Sequence, residues 1–161
     1  MIGVAIAAGF VGTLVMTTIV RASSELGLTR MDFALLLGTT VSENRSRARA
    51  WGYVFHFVIG IVFAVAYGEF FVLVGRASWQ LGALLGALHA VFDGTVLVSV
   101  LLPVVHPRIG TPETAANEIA LVEPPGFLML NYGRGSFVVL LVALVAYGAV
   151  VGLIISTSSI M

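Results

Sequence analysis

Cysteine and lysine are both missing from this 161-residue chain, and charge of either sign is scarce: eight arginines, eight acids and a formal net charge of zero. The lack of cysteine removes disulfides, thiolate metal sites and cysteine nucleophiles from consideration. The lack of net positive charge leaves no electrostatic footprint for DNA or RNA, so no nucleic-acid partner is expected. Charged residues make up 10% of the chain and hydrophobic ones 59%, against roughly 25% charged in an ordinary soluble domain. A soluble domain of this length keeps about a third of its unfolded-chain surface in water, and eight arginines with eight acids cannot cover that area. A lipid bilayer is the solvent this composition calls for.

Catalytic signatures are lacking too. The chain has no G-x-S-x-G, no P-loop, no H-E-x-x-H and no carboxylate cluster with metal spacing, so neither an enzyme nor a cofactor is expected. Met1 to Val4 carries no basic run, and the first arginine, Arg21, follows the apolar stretch instead of preceding it. That charge order is wrong for a cleaved secretory signal, and a retained span is expected.

What is present is apolar length. A hydrocarbon core about 30 Å thick needs about 20 apolar residues in a helix, and the stretches 2–20, 51–74, 81–105 and 137–155 qualify. The fold class expected is an all-α membrane protein with four transmembrane helices arranged as two tandem helical hairpins, forming one domain over 1–161. The turn Gly75-Arg76-Ala77-Ser78 is short enough to clamp the second and third helices into a tight antiparallel pair. Arg21, Arg30, Arg45, Arg47 and Arg49 lie in loop one and Arg108 and Arg134 in loop three, while Arg76 stands alone on the other side. Arginine-rich short loops stay in the cytoplasm, so both termini are expected outside. Arg45, Arg47 and Arg49 are expected to rest against anionic headgroups. Asn44-Arg45-Ser46 matches a glycosylation acceptor but falls on the side where that has no meaning.

Short interfacial helices are expected in both long loops. In loop one, Thr29 and Asp32 read as a capping box ahead of Phe33 to Leu37, with Gly38 as the stop. In loop three, Thr111-Pro112-Glu113 offers a start, Pro124-Pro125-Gly126 a break, and Phe127 to Tyr132 leads into the last span. Gly12-Thr13 recurs as Gly94-Thr95, and Val65-Ala66-Tyr67-Gly68 as Val145-Ala146-Tyr147-Gly148. These offsets, close to half the chain, read as an internal repeat of 1–80 and 81–161.

Helices in lipid associate through small residues and interhelical polar contacts. Rows stepping by four supply the first: Ala5, Gly9, Thr13 and Thr17; Gly60, Ala64 and Gly68; Gly82, Gly86, Ala90 and Gly94; Gly148 and Gly152. Ionisable residues at depth supply the second, and each is a candidate site. Asp93 falls at the middle of the third span, about 18 Å from either end, where a carboxyl needs a proton or a partner. His89 lies one turn away on the same face. His56 continues the Gly60 row, with Tyr53 and Tyr67 nearby, and Thr13 and Thr17 reach mid-depth from the first span. Glu69 points away near the outer end and ranks lower. His56 lies roughly 7 Å and His89 roughly 24 Å from the cytoplasmic end, too far apart to share a metal ion or a haem. His106, before Pro107, reads as a cap on the third span.

The run His56 to Tyr67, with Gly82 to His89, Pro103 to Pro107, Gly12-Thr13, Met16-Thr17 and Met31-Asp32, resembles an uncharacterised family of small four-helix bacterial inner-membrane proteins. The resemblance implies a bacterial inner-membrane location and assigns no activity or functional residue.

The polar cluster fits either an interhelical hydrogen-bond network that fixes helix register or a relay. Two functions fit these observations, the first leading and the second its alternative. Small packing faces without catalytic residues suggest a non-enzymatic accessory or interaction component, partnered by other membrane subunits or by itself. The Asp93/His89 pair suggests an oligomeric proton- or cation-linked transporter or channel. A lipid or quinone binder is a third reading, drawn from Trp51, Phe55, Phe57 and Trp79, which an interfacial aromatic belt explains as well.

Overall fold

A computed structural model describes residues 2–109 and 122–158, and the fold is stated for these. In chain order they form α1 (Ile2–Glu25), a short α2 (Phe33–Gly38), α3 (Arg45–Leu73), α4 (Trp79–Val105), a 3-10 turn (Phe127–Tyr132) and α5 (Ser136–Thr157). Four of these helices, α1, α3, α4 and α5, are long and apolar enough to cross a membrane. The loop-three start at Thr111-Pro112-Glu113 lies outside the described residues.

Helix boundaries extend past the apolar runs where a polar cap allows it. α3 begins at Arg45 because Asn44 Oδ1 accepts from the amides of Ser46 and Arg47, both at 3.1 Å, which satisfies two otherwise orphaned donors. The tripeptide that matched a glycosylation acceptor is therefore a helix cap. α4 is capped by Ser78, whose Oγ accepts from the Leu81 amide at 3.2 Å. In loop one the cap is Asp32 alone, with Oδ1 2.9 Å from the Leu35 amide. Thr29, expected as the other half of a capping box, instead pairs its hydroxyl with that of Ser136 at 2.7 Å, a buried link between loop one and the start of α5.

Glycines set which helices touch. A Cβ on Gly82 or Gly86 would run into the backbone of Gly148 or Leu144, and one on Gly148 or Gly152 into that of Gly82 or Ser78. The small rows of α4 and α5 thus form one backbone-to-backbone seam. Gly9 sits where a Cβ would be 2.7 Å from Ile61 Cα, and Gly60 lies against Thr13, so α1 and α3 form a second seam. Between the two seams, α1 packs along α5, with Gly12 under the ring of Tyr147. Gly94 is held by side chains, its added Cβ falling 2.9 Å from the Phe137 ring. Gly68 has only ordinary neighbours, Ile155 at 3.6 Å and Ala5 at 3.8 Å, so a methyl group would fit there. α1 and α5 form the centre of the bundle, with α3 and α4 on its flanks.

The consequence is that α3 and α4, although joined by a short turn, make little close backbone contact along their length. They meet through side chains, chiefly Phe63 and Tyr67 against His89. The seams with α1 and α5 draw the two flanking helices toward the centre and leave a cleft between them.

α2 closes one end of that cleft. Gly38 and Gly52 let its backbone lie directly on α3, against Ala48 and Ala34. On the other side, His106 Nδ1 accepts from the Arg108 amide at 3.1 Å, so Nε2 carries the proton and donates to Leu36 O at 2.9 Å. The His106 ring therefore ties α4 to α2, beyond the end-capping expected of it. Arg108 adds a bond to Thr39 O at 2.5 Å. Among the described residues three arginines have acid partners: Arg30 with Glu123 at 3.1 Å, Arg49 with Asp32 at 2.9 Å and Arg108 with Glu43 at 3.3 Å. Arg49, expected to rest on headgroups, is thus held by the α2 cap. Exposed pairs like these contribute little energy each, but those of Arg30 and Arg108 fix loop one against loop three. Tyr132 joins them by donating to Glu123 O at 2.7 Å, and burial, aided by the Glu123 charge, pushes its phenol up to about 12.

Candidate functional site

The cleft between α3 and α4 has a volume of about 130 Å³ and a largely apolar wall, with Phe33 and Leu36 of α2 at one end and Leu144 and Tyr147 of α5 at its back. Its polar wall residues are His56, His89, Asp93 and Tyr147. The side chains of His89 and Asp93 are only 10% and 14% exposed. Asp93 therefore faces its neighbours, as a carboxyl at that depth must.

The helix changes character at this residue. From Asp93 to Leu101 α4 is π-helical, and the Leu102 amide still bonds the carbonyl five residues back, Leu97 O. The Thr95 hydroxyl donates to Val91 O at 2.6 Å, a side-chain bond that competes for a ladder acceptor and loosens the turn. Wider turns place residues four to five apart on one face, and the wall is lined at that spacing by His89, Asp93, Leu97, Val98 and Leu102. Nothing in the apolar pattern of 81–105 signals this change; Gly94-Thr95 is its sole local trace.

Two polar groups emerge from the residues singled out in the sequence. The first joins α1 to α3. Thr17 donates to Thr13 O at 2.7 Å, so the His56 Nε2 that sits 3.1 Å from the same hydroxyl is the donor there. Thr13 donates in turn to Gly9 O at 2.7 Å, and the His56 ring stacks on Phe33 at 5.8 Å. Tyr53 is apart from both groups, its hydroxyl accepting from Arg21 at 3.3 Å near the helix end.

The second group joins α3 to α4. Tyr67 Oη lies 3.2 Å from His89 Nδ1, and His89 Nε2 lies 3.4 Å from Asp93 Oδ1. A phenol donating to Nδ1 places the imidazole proton on Nε2, aimed at the carboxylate. A protonated Asp93 donating to Nε2 reverses the chain, with Nδ1 donating to the phenol oxygen. Once the His89–Asp93 gap shortens, the same three side chains support two opposite hydrogen-bond directions, which is what passing a proton requires. The 3.4 Å separation exceeds the roughly 2.7–2.9 Å of a charge-assisted bond, and among the described residues no group hydrogen-bonds Asp93 Oδ1, although the atom is shut off from solvent.

Tyr147 is the wall residue that the sequence offered only as part of a repeat. Its hydroxyl donates to Gly60 O at 2.5 Å, and its ring meets that of Tyr67 edge-on at 5.8 Å. Met129 reaches the wall from the 3-10 turn, where it and Leu128 both hold left-handed backbone, φ 56° and 54°. Two consecutive non-glycine residues in that region carry strain, which is offset by burying Met129 and packing Leu128 on Gly94.

His56 stands seven residues from Phe63, the ring beside His89, so about 10 Å of helix rise separates the histidines. The offset is smaller than the loop positions suggested and still too large for one metal ion. Among the described residues no three His, Cys, Asp or Glu side chains are placed to hold one. Glu69 is exposed, away from the cleft.

No protein-family model, curated protein or solved structure matches this chain. Its class comes from its helices: the described residues form no named strand, and four of their helices are long and apolar enough to cross a membrane.

Proposed function

We propose that this chain is a proton- or cation-linked transporter or channel of a bacterial inner membrane, with Asp93 as the carrier group and His89 and Tyr67 as its relay. The observation that carries the reading is the Tyr67–His89–Asp93 chain at the middle of the third span, of which His89 and Asp93 line the cleft. Intramembrane carboxyl and imidazole groups are costly and serve ion or proton pathways. The π-helical turn that begins at Asp93 adds support, since such turns are frequent at functional sites.

In this reading the spans form two tandem hairpins, the pairs α1/α3 and α4/α5, related by the internal repeat. α2 and the Phe127–Tyr132 turn lie at the cytoplasmic interface, and both termini are outside. A second copy of the chain completes the pathway, because four helices leave the cleft open on one side. The bacterial setting rests on the resemblance of the His56–Tyr67 run. An accessory role is the lesser reading: it was drawn from the small-residue faces, and those of α1, α3, α4 and α5 are occupied by one another.

The test is flux in proteoliposomes holding the purified protein under an imposed pH gradient. Wild type is expected to move protons or a monovalent cation, and Asp93→Asn to lose that flux with its fold intact. Equal flux in the two would end the proposal.

A further inference from the structure

The cleft has polar requirements that select a ligand. Its wall donors face groups within the chain: Tyr147 donates to Gly60 O, His56 to Thr17, and the His89 Nε2 proton, with Tyr67 on Nδ1, points at Asp93. The Asp93 carboxyl, which lines the cleft, is the exception: its Oδ1 lies 3.4 Å from His89 Nε2 without a hydrogen bond, and among the described residues no arginine pairs with it. A ligand that completes this wall must therefore bring a donor, and the charge complement of a carboxylate is a cation. The rest of the wall is apolar and aromatic, with the Phe63 ring tilted 43° to that of His89 at 4.0 Å, and aromatic faces attract a desolvated cation. Water is a poor filling, since a buried water needs about two to four polar partners. The volume, about 130 Å³, is close to the roughly 150 Å³ of a cavity known to hold one benzene ring. Ile59, a wall residue that is 41% exposed, marks where the cleft meets the surface between α3 and α4.

From these observations we infer that the cleft binds a lipophilic organic monocation, a protonated amine on one aromatic ring or a short alkyl stem, through Asp93. The inference rests on the transport reading and specifies its substrate class. One carboxylate holds either the ammonium or a proton, so binding weakens as pH falls. His89 and His56, which face the same cleft, act in the same direction when protonated; the other titratable groups against it are the Tyr147 phenol, bonded to Gly60 O, and the Tyr67 phenol, bonded to His89.

The test uses the full chain in nanodiscs of zwitterionic phosphatidylcholine, with empty discs subtracted, and three probes of one shape: benzylammonium, benzyl alcohol and benzoate. Binding is read by saturation-transfer NMR titration, with helicity and monodispersity checked for every variant. Wild type and Asp93→Glu are expected to bind benzylammonium at least about tenfold more tightly than benzyl alcohol, with benzoate excluded. Asp93→Asn is expected to lose that preference. Benzyl alcohol binding as tightly as benzylammonium, or a preference surviving in Asp93→Asn, would overturn the inference and leave an unselective apolar cavity. Failure of all three probes to bind, alongside Asp93-dependent proton flux, overturns the organic cation and leaves the transport reading standing; failure of both binding and flux overturns the two together.

Discussion

The hydroxyl of Tyr147 on α5 donates to the backbone carbonyl of Gly60 on α3, 2.5 Å away, and so closes the back of the cleft. The bond exists because Gly60 has no side chain: α1 seats Thr13 against it on one side while the phenol reaches its carbonyl. Tyr147→Phe removes one hydrogen bond, a cost of about 1 kcal/mol. Gly60→Ala forces a methyl into Thr13 and parts α1 from α3, costing about 1–3 kcal/mol. Thermal unfolding in one detergent is expected to rank the alanine variant below the phenylalanine variant, and both below wild type.

The α4/α5 seam predicts a sharp contrast among glycines. Gly82→Leu or Gly86→Leu would wedge a side chain into the α5 backbone, and the purified protein is expected to aggregate or lose its monodisperse peak. Gly68→Ala adds a methyl to space that accepts it and is expected to match wild type within about 0.5 kcal/mol. Size-exclusion profiles after a heating series report both.

His106 predicts a local effect at a distance of 70 residues along the chain. Its ring is buried and joins the end of α4 to Leu36 O, so His106→Ala leaves α2 held by α3 and by the Arg108 bond to Thr39 O. Hydrogen exchange over Phe33–Gly38 is expected to accelerate at least about tenfold, the equivalent of 1.4 kcal/mol of lost protection. Exchange in the middle of α5 is expected to stay unchanged.

Because the chain has no cysteine, single introduced cysteines map its orientation cleanly. A cysteine at Ser42, in loop one, is expected to react with a membrane-impermeant maleimide only in inverted vesicles, and one at Ala77, in the α3/α4 turn, only in right-side-out cells. The opposite pattern would reverse the predicted topology.

The existence of four long apolar helices was legible because hydrocarbon thickness imposes a length that a run of Val, Leu, Ile, Ala and Gly either reaches or does not. The facing of His89 and Asp93 was legible from their spacing of four. Partner choice was harder to read. Small rows announce that a helix packs, but not against which neighbour, so the α4/α5 and α1/α3 seams, and the cleft they leave beside a four-residue turn, appear only in three dimensions. Thr29 looked like a cap because its spacing to Asp32 fits the pattern, while its actual partner, Ser136, is 107 residues away. The π-helical stretch left no periodic signal because nearly every residue around it is apolar. Tyr147 was hidden for the same reason, a polar tip on an otherwise hydrophobic run.

The chain's three histidines, His56, His89 and His106, give the most direct reading of the relay. Solid-state NMR of histidine ring nitrogens in bilayers resolves each tautomer, assigned by single substitution. The structure predicts that Tyr67→Phe and Asp93→Asn each shift the His89 nitrogens while those of His56 and His106 keep their wild-type positions. A His89 signal indifferent to both substitutions would contradict the Tyr67–His89–Asp93 chain and, with it, the function proposed for the cleft.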